Sequence, residues 1–341
     1  MNSIERVFAA VTGAVPDRTP VSLTASLYGA ALLKCPLTEY YRKPHLYAEG
    51  QSLVTNRCNT DIIFSPFAFS LFAEACGAKV SISDKAAPVV KEHIPYTPGE
   101  HISFDVKKLL SHPASEYLLE SVSQLAKTVG KEKIIAAINS SPCDLPAMVF
   151  GIDKWLHTLL FHREQAISII NNLGEYFIEM SGQMYQQGAH LVATTVNFTN
   201  PQIVTAPISA YVIPLLTEMF LKVEGIKVIH HGGPVFGEFV KKYVHLNGTV
   251  GFVISPNDKI KDIRPLVDGK TILGNIDGPF VYKQSADAVY KKCLQILKEN
   301  EGNTRFILSS SNADLTYETP LENILAVSRA AEDYSANNRV N

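Results

Sequence analysis

Two histidines stand side by side in KVIHHGGPVF, Lys227 to Phe236, at the end of an apolar run and just before two glycines and a proline. Imidazole titrates near neutral pH and ligates transition metals, so His230 and His231 are candidate proton donors or metal ligands. A plainer reading is open beside these, in which one ring packs at a strand end and the other lines a cavity mouth. Side chains alternate across a strand, so adjacent histidines are expected on opposite faces, and sharing one metal needs a bend at Gly232-Gly233. The same glycines leave backbone room for a ligand. Acids, amides and hydroxyls recur at comparable places: Thr24 with Tyr28, Asp144, Asn197 with Asn200, Ser255, Asn275 with Asp277, and Asn312. Each alone is an ordinary turn or cap residue, Asp144 before Leu145-Pro146 and Asp277 in GNIDG above all. Their convergence would make a site.

What could bring them together is a series of short apolar, often β-branched runs bounded by Gly, Pro, Asn and Asp. The sequence predicts strands at Pro20–Leu23, Asp61–Phe64, Ile134–Asn139, Leu191–Val196, Ile226–His230, Thr249–Ser255, Thr271–Asn275 and Phe306–Ser309. Amphipathic stretches lie between them, with helices predicted at Lys154–Asn172 and Ser285–Glu299. Eight strand-helix units without a Pro/Gly/Ser-rich linker predict a single (β/α)8 TIM barrel over 1–341 with an N-terminal helical extension. A doubly wound sheet split into two domains is the rival. In a barrel the chemistry sits at the C-terminal strand ends, where every residue singled out above falls.

Composition narrows the partners. The 341 residues are 46 % hydrophobic, enough for a sizeable core, and the formal charge of −2 offers no basic field to nucleic acid. No apolar run reaches the length of a bilayer span, and Glu5 and Arg6 interrupt the N-terminus where a signal peptide would be apolar, so the chain reads as cytoplasmic. The five cysteines, Cys35, Cys58, Cys76, Cys143 and Cys293, are scattered without CxxC spacing and read as reduced thiols.

Six segments carry a resemblance: ERVFAAVTGAVPDRTPV, DIIFSPFAFSLFAEACGAKV, INSSPCDLPAMVFG, VIHHGGPV, GNIDG and FILSSSNADLTYETPLENILAV. In this order, over nearly the whole chain, they resemble the uroporphyrinogen decarboxylase superfamily, which includes corrinoid-dependent methyltransferases such as methylcobalamin:coenzyme M methyltransferases. The resemblance implies a (β/α)8 barrel, in agreement with the strand count.

Within the superfamily, tetrapyrrole decarboxylases carry an Arg-rich opening segment that grips substrate carboxylates and an Asp after the second strand that meets pyrrole nitrogens. Here the opening reads VSLTASLYGA, without arginine, and Pro66 of FSPF stands in the place of that Asp. A polycarboxylate needs cationic partners to offset its desolvation, so tetrapyrrole decarboxylation is disfavoured. FSPF followed by Glu74-Ala75-Cys76-Gly77 is similar to the methyltransferase branch. That branch implies zinc held by a His-x-Cys at the fifth strand and a Cys after the eighth. His230 matches the histidine, but Gly232 occupies the first cysteine position and Asn312 or Ala313 the second. The resemblance therefore implies a methyltransferase whose zinc cysteines are missing; any metal is expected on His230 with Glu74.

The expected function is methyl exchange between methylcobalamin, free or held by a separate corrinoid protein, and a small partner, with tetrahydrofolate a candidate. Asp144, Asn197, Asn275 and Asp277 are the residues available to orient a pterin. His230, His231 and Asp277 are the expected catalytic set. Thr24, Tyr28, Asp144, Asn197, Asn200, Ser255, Asn275 and Asn312 are the expected substrate-binding set. Phe64, Phe67, Phe69 and Phe72 are read as core, or else as a wall for a planar ligand. A decarboxylase of a tetrapyrrole or aromatic acid and a barrel that binds a small molecule without turnover are the alternatives, and pairing into a homodimer is left open.

Overall fold

The computed structural model describes residues 1–340, with side chains as far as residue 336. All eight expected strands form. They are β1 (Val21–Ser22), β2 (Ile62–Phe64), β5 (Ile134–Asn139), β6 (Leu191–Thr195), β7 (Lys227–His230), β8 (Thr249–Val253), β9 (Thr271–Ile276) and β10 (Phe306–Ser310). A hairpin that the sequence reading missed, β3 (Lys79–Ser81) and β4 (Val89–Glu92), lies between the second and third barrel strands. The eight pair in parallel and close in the order β1-β10-β9-β8-β7-β6-β5-β2. A closed ring leaves no sheet edges, which excludes the doubly wound alternative.

Alternation along the strands separates two cores. Ile134, Ala136 and Ile138 on β5, Leu191 and Ala193 on β6, Val228, Val253, Leu273 and Ile307 fill the barrel. Ile135, Ala137, Val192, Ile229, Ile272 and Leu308 point outward against the helices. The helix Ser3–Thr12 closes the N-terminal end of the barrel. Asn2 and Glu5 form a reciprocal capping box there, and Val7 and Ala10 complete the interior.

Beneath that helix Asp61, fully buried, accepts bonds from Ser3 Oγ at 2.7 Å, Arg6 Nη1 at 2.6 Å, Arg18 Nη1 at 2.7 Å and the Val21 N–H at 2.8 Å. Arg6 Nε also reaches Asp17 at 2.6 Å. Buried ions are tolerated because each is paired and hydrogen-bonded.

Two helix expectations meet different fates. Ala286–Glu299 forms with Ser285 as its N-cap, the serine oxygen accepting the Ala288 N–H. Lys154–Asn172 is corrected: the stretch divides into Ile152–Phe161 and Arg163–Gln186, because His162 (φ −132°, ψ 59°) leaves the helical region. No helix among the described residues is long and apolar enough to cross a membrane.

Candidate active site

The C-terminal ends of the strands open into a cleft of about 1020 Å³, walled by the hairpin (Pro88 to Val90, His93), by Met148 and Phe150 to Lys154, and by Asn197, Phe198, Gly232 and Asn312. Below it, inside the barrel, lies a small well of about 20 Å³ lined mainly by Ile62, Phe64, Ala136, Ile138, Ala193, Val228, Val253 and Leu273. Phe67, Phe69, Thr195 and His230 line both spaces and form the neck between them. Phe67 and Phe69 meet edge to face with centroids 5.0 Å apart, and the Phe67 ring lies 6.5 Å from that of His230. The well has room for one water-sized or methyl-sized group, and its apolar walls favour the methyl.

The histidine pair departs from strand alternation. β7 ends at His230, and the backbone turns at Gly232 (φ +87°), so the two rings stack with centroids 4.6 Å apart and planes 18° apart instead of facing opposite ways. The glycine is required twice over. Its φ is left-handed, and a Cβ would sit 2.2 Å from Asn197 Oδ1.

The Gly232 N–H donates to His230 Nδ1 at 2.9 Å. Burial, and then the neighbouring His231, push the proton affinity of His230 well below the ordinary imidazole value. The ring is therefore neutral at pH 7, and with Nδ1 accepting a bond its proton falls on Nε2, which has no partner among the described residues. In His231 both nitrogens face carbonyls, Nδ1 that of Pro234 at 3.0 Å and Nε2 that of Ser311. Burial lowers its pKa and the two carbonyls oppose that.

Zinc is the metal that the resemblance implies, and these residues do not fit it. A ligating imidazole needs a lone pair, but His230 Nδ1 already accepts a bond, Nε2 carries the proton, and both His231 nitrogens are turned to oxygen. Glu74, the expected helper, forms a two-pronged pair with Arg42 at 2.6 and 2.7 Å, and this corrects the expected His230–Glu74 pairing. Among the described residues no three His, Cys, Asp or Glu side chains converge as a metal-holding group.

The other expected residues divide. Thr24 lines the well, its N–H bonded to Ser310 Oγ at 2.8 Å. Asp144 and Asn197 line the cleft, but they face each other. The buried Asp144 carboxylate accepts from Thr195 Oγ1 at 2.6 Å, the Asn197 N–H at 3.1 Å, Asn197 Nδ2 at 3.3 Å and the Phe198 N–H at 2.9 Å. Burial raises its pKa, and those donors counter the rise. Asp144 occupies the N-cap position of Leu145–Phe150 but its side chain caps nothing there; it ties two loops instead.

Four expected binding residues are placed elsewhere. Tyr28 is buried in the outer core between its own helix, Ser26–Leu33, and its neighbours, where burial raises its pKa. Asn200 Nδ2 donates to the Val235 carbonyl at 3.1 Å. Ser255 Oγ accepts the Asn257 N–H at 3.3 Å, and Asn275 Nδ2 donates to the Ser255 and Asp258 carbonyls at 3.1 and 2.9 Å. These three fasten mouth loops. Asp277 lies outside the cleft lining and accepts from Asn312 Nδ2 at 3.2 Å, so it is not brought to the histidines. The acid and amide set expected for a pterin is thus not assembled.

Sequence reasoning missed His93, Met148, Ile152 and Lys154. The signal for the first was present: Lys79-Val80-Ser81 and Val89-Val90 flank Ser83-Asp84, a hairpin pattern that carries His93 to the rim.

A methyltransferase from Methanosarcina mazei has a similar structure (TM-score 0.85, 18 % identity, 98 % of this chain and 99 % of that one). So, more distantly, does a B12-independent methionine synthase from Shewanella sp. W3-18-1 solved with selenomethionine (TM-score 0.64, 13 % identity, 95 % of this chain and 100 % of that one). At these identities the likeness is one of fold. No curated protein matches the chain. The family model for uroporphyrinogen decarboxylase (URO-D) matches residues 2–334. With the barrel, the cleft and this match along nearly its full length, the chain belongs to the uroporphyrinogen decarboxylase family.

Proposed function

We propose that the protein is a methyltransferase exchanging a methyl group between a corrinoid, free or carried by a separate protein, and a small partner seated at His230. The observation that carries this reading is the methyl-sized apolar well of about 20 Å³ opening at the neck beside His230. A corrinoid, when bound, supplies or accepts the methyl group; its apolar face suits a cleft rimmed by Phe67, Phe69, Val89, Met148 and Ile152. This chain's own residues do the rest. Phe67 and Phe69 keep water from the neck, the well receives an apolar methyl-sized end of the partner, and the His230 Nε2–H holds the partner's polar atom so that its reacting side faces the cleft where a corrinoid would sit. Resemblance to the Methanosarcina methyltransferase fold supports the same reading.

Decarboxylation of a polycarboxylate tetrapyrrole is the second reading, favoured by the 1020 Å³ of the cleft. Against it, the lining holds Lys154 but no arginine, too little cationic charge for such a substrate.

The test follows the absorbance of methylcobalamin mixed with metal-analysed protein, with tetrahydrofolate, a small thiol and an amine in separate cuvettes. Demethylation with any of them in zinc-free protein supports the proposal. Carbon dioxide released from uroporphyrinogen, with methylcobalamin unchanged throughout, moves the assignment to the decarboxylase.

A further inference from the structure

A chain of contacts leads from the loop carboxylate of Asp144 to His230 at the neck. Asp144 fixes Asn197 through both its backbone and its side chain. Asn197 Oδ1 lies against the open face of Gly232, within 2.2 Å of where a Cβ would stand. Gly232 in turn donates its N–H to His230 Nδ1 at 2.9 Å. Each contact removes a freedom from the next residue, and the last one decides which ring nitrogen keeps the proton. His231, stacked at 4.6 Å, restricts rotation of the His230 ring.

The surroundings restrict what that nitrogen can meet. The well beneath is apolar apart from Thr24, Thr194, Thr195, Ser309 and Ser310. In the cleft, Asp144 is occupied by four donors, Asp153 and Lys154 are neighbours of opposite charge on one helix, and His93 Nδ1 faces the Met148 carbonyl at 2.9 Å. Among the described residues no Asp, Glu, Lys or Arg lines the well or the neck formed by Phe67, Phe69, Thr195 and His230, so an ion seated there would be desolvated without a partner.

We infer that His230 is held as an N–H donor rather than a metal ligand, with Asp144 and Asn197 as its positioning residues. Its ligand is an uncharged methylated compound whose oxygen, sulfur or nitrogen accepts the Nε2–H bond while the methyl enters the well. This deepens the methyltransferase reading and rests on it only for what reacts on the cleft side of the bound ligand; the methyl in the well anchors the ligand, and recognition stands or falls by binding.

The experiment uses the full chain labelled with ¹⁵N-histidine, His230 being assigned with a His230→Gln variant. Two-bond ¹H–¹⁵N correlations at pH 7.5 report the tautomer directly. The expected pattern is Nε2–H for His230, unchanged by one equivalent of zinc. Asp144→Asn is expected to mix the tautomers while far-UV circular dichroism stays native; should that variant unfold, Asn197→Ala carries the same expectation. An Nδ1–H pattern, a stoichiometric zinc shift at His230, or an unaltered tautomer in a folded positioning variant overturns the assignment.

Ligand class is read by calorimetry with anisole, thioanisole and N,N-dimethylaniline against 4-methoxybenzoate and trimethylanilinium. At least one uncharged probe is expected to bind about tenfold or more tightly than both ions and to shift the His230 Nε2 resonance. Binding of none of the uncharged probes, tighter binding of an ion, or undiminished binding by His230→Phe overturns the ligand class. Binding as expected without any methylcobalamin turnover leaves this inference standing and removes the methyltransferase reading.

Discussion

At the closed end of the barrel the carboxylates of Asp17 and Asp61 meet guanidinium groups, whereas at the open end the carboxyl groups of Asp144, Asp258 and Asp314 meet backbone N–H groups. The first arrangement welds a helix over the barrel floor. The second pins loops in the positions from which they enclose a ligand, without leaving a charge free to attract one. Acidic residues at the mouth of a barrel are therefore not by themselves evidence of acid/base chemistry; here the oxygens of these three are already engaged, whereas His230 Nε2, at the neck, has no partner among the described residues.

The largest expected effect lies at the closed end. Asp61→Ala leaves Arg6 and Arg18 buried without their shared acceptor and is expected to cost about 3–5 kcal/mol, measured by urea unfolding. A cost under about 1 kcal/mol would show that water replaces the carboxylate and that the two ends differ less than their bonding implies. Next comes Ala193→Leu, which fills the well. It is expected to cost about 1–3 kcal/mol through overpacking and to abolish binding of methylated ligands, read by calorimetry on the folded variant. Undiminished affinity would remove the well from the site.

The pH response sharpens the contrast further. Asp17 is held far below the usual carboxylate range by Arg6, so its contribution is present above the unfolded value and lost as the pH falls through the acid range. Asp314 has the opposite sign. Burial pushes its carboxyl up to about 8, against the Leu27 and Ser26 N–H groups, so the folded state binds its proton more tightly than the unfolded chain does. Its contribution is present below the ordinary value of 3.8 and is lost as the pH rises through about 8. Urea titrations between pH 5 and 9 are expected to show stability falling, and Asp314→Asn to flatten that slope; an equal slope in both would assign the change to other groups. The smallest effect is expected for Glu74→Ala, about 0.5 kcal/mol or less, since its pair with Arg42 is partly solvated. Metal content identical to wild type would agree with its place away from the histidines.

The barrel was legible because burial on both faces makes its strands near-continuous apolar runs, of which Ile134–Asn139 is an example copied unchanged from pattern to structure. The hairpin was missed because exposed short strands carry little apolar signal: Lys79 and Ser81 are exposed and Val80 only half-buried. The site was legible as a location more than as a set of roles. Tyr28, Asn200, Ser255 and Asn275 have the right types in the right loops, but a polar residue can fasten its own loop as easily as touch a ligand, and only the partner's position distinguishes the two. The histidine stacking was hidden for a different reason. Alternation holds only while a strand continues, and β7 stops at His230.

The helix that closes the barrel floor has a consequence for the order in which the chain assembles. Arg305 bonds back to the Val11 and Thr12 carbonyls, across separations of 294 and 293 residues, and Thr304 Oγ1 donates to the Gly13 carbonyl. Contacts so distant in sequence come late, after the entropy of closing a very long loop has been overcome. Until β10 has been synthesised, Val7 and Ala10 have an incomplete ring of strands to cover. The floor of the barrel is consequently a checkpoint on its completion: docking of the helix Ser3–Thr12 reports that the strand farthest from it in sequence has arrived.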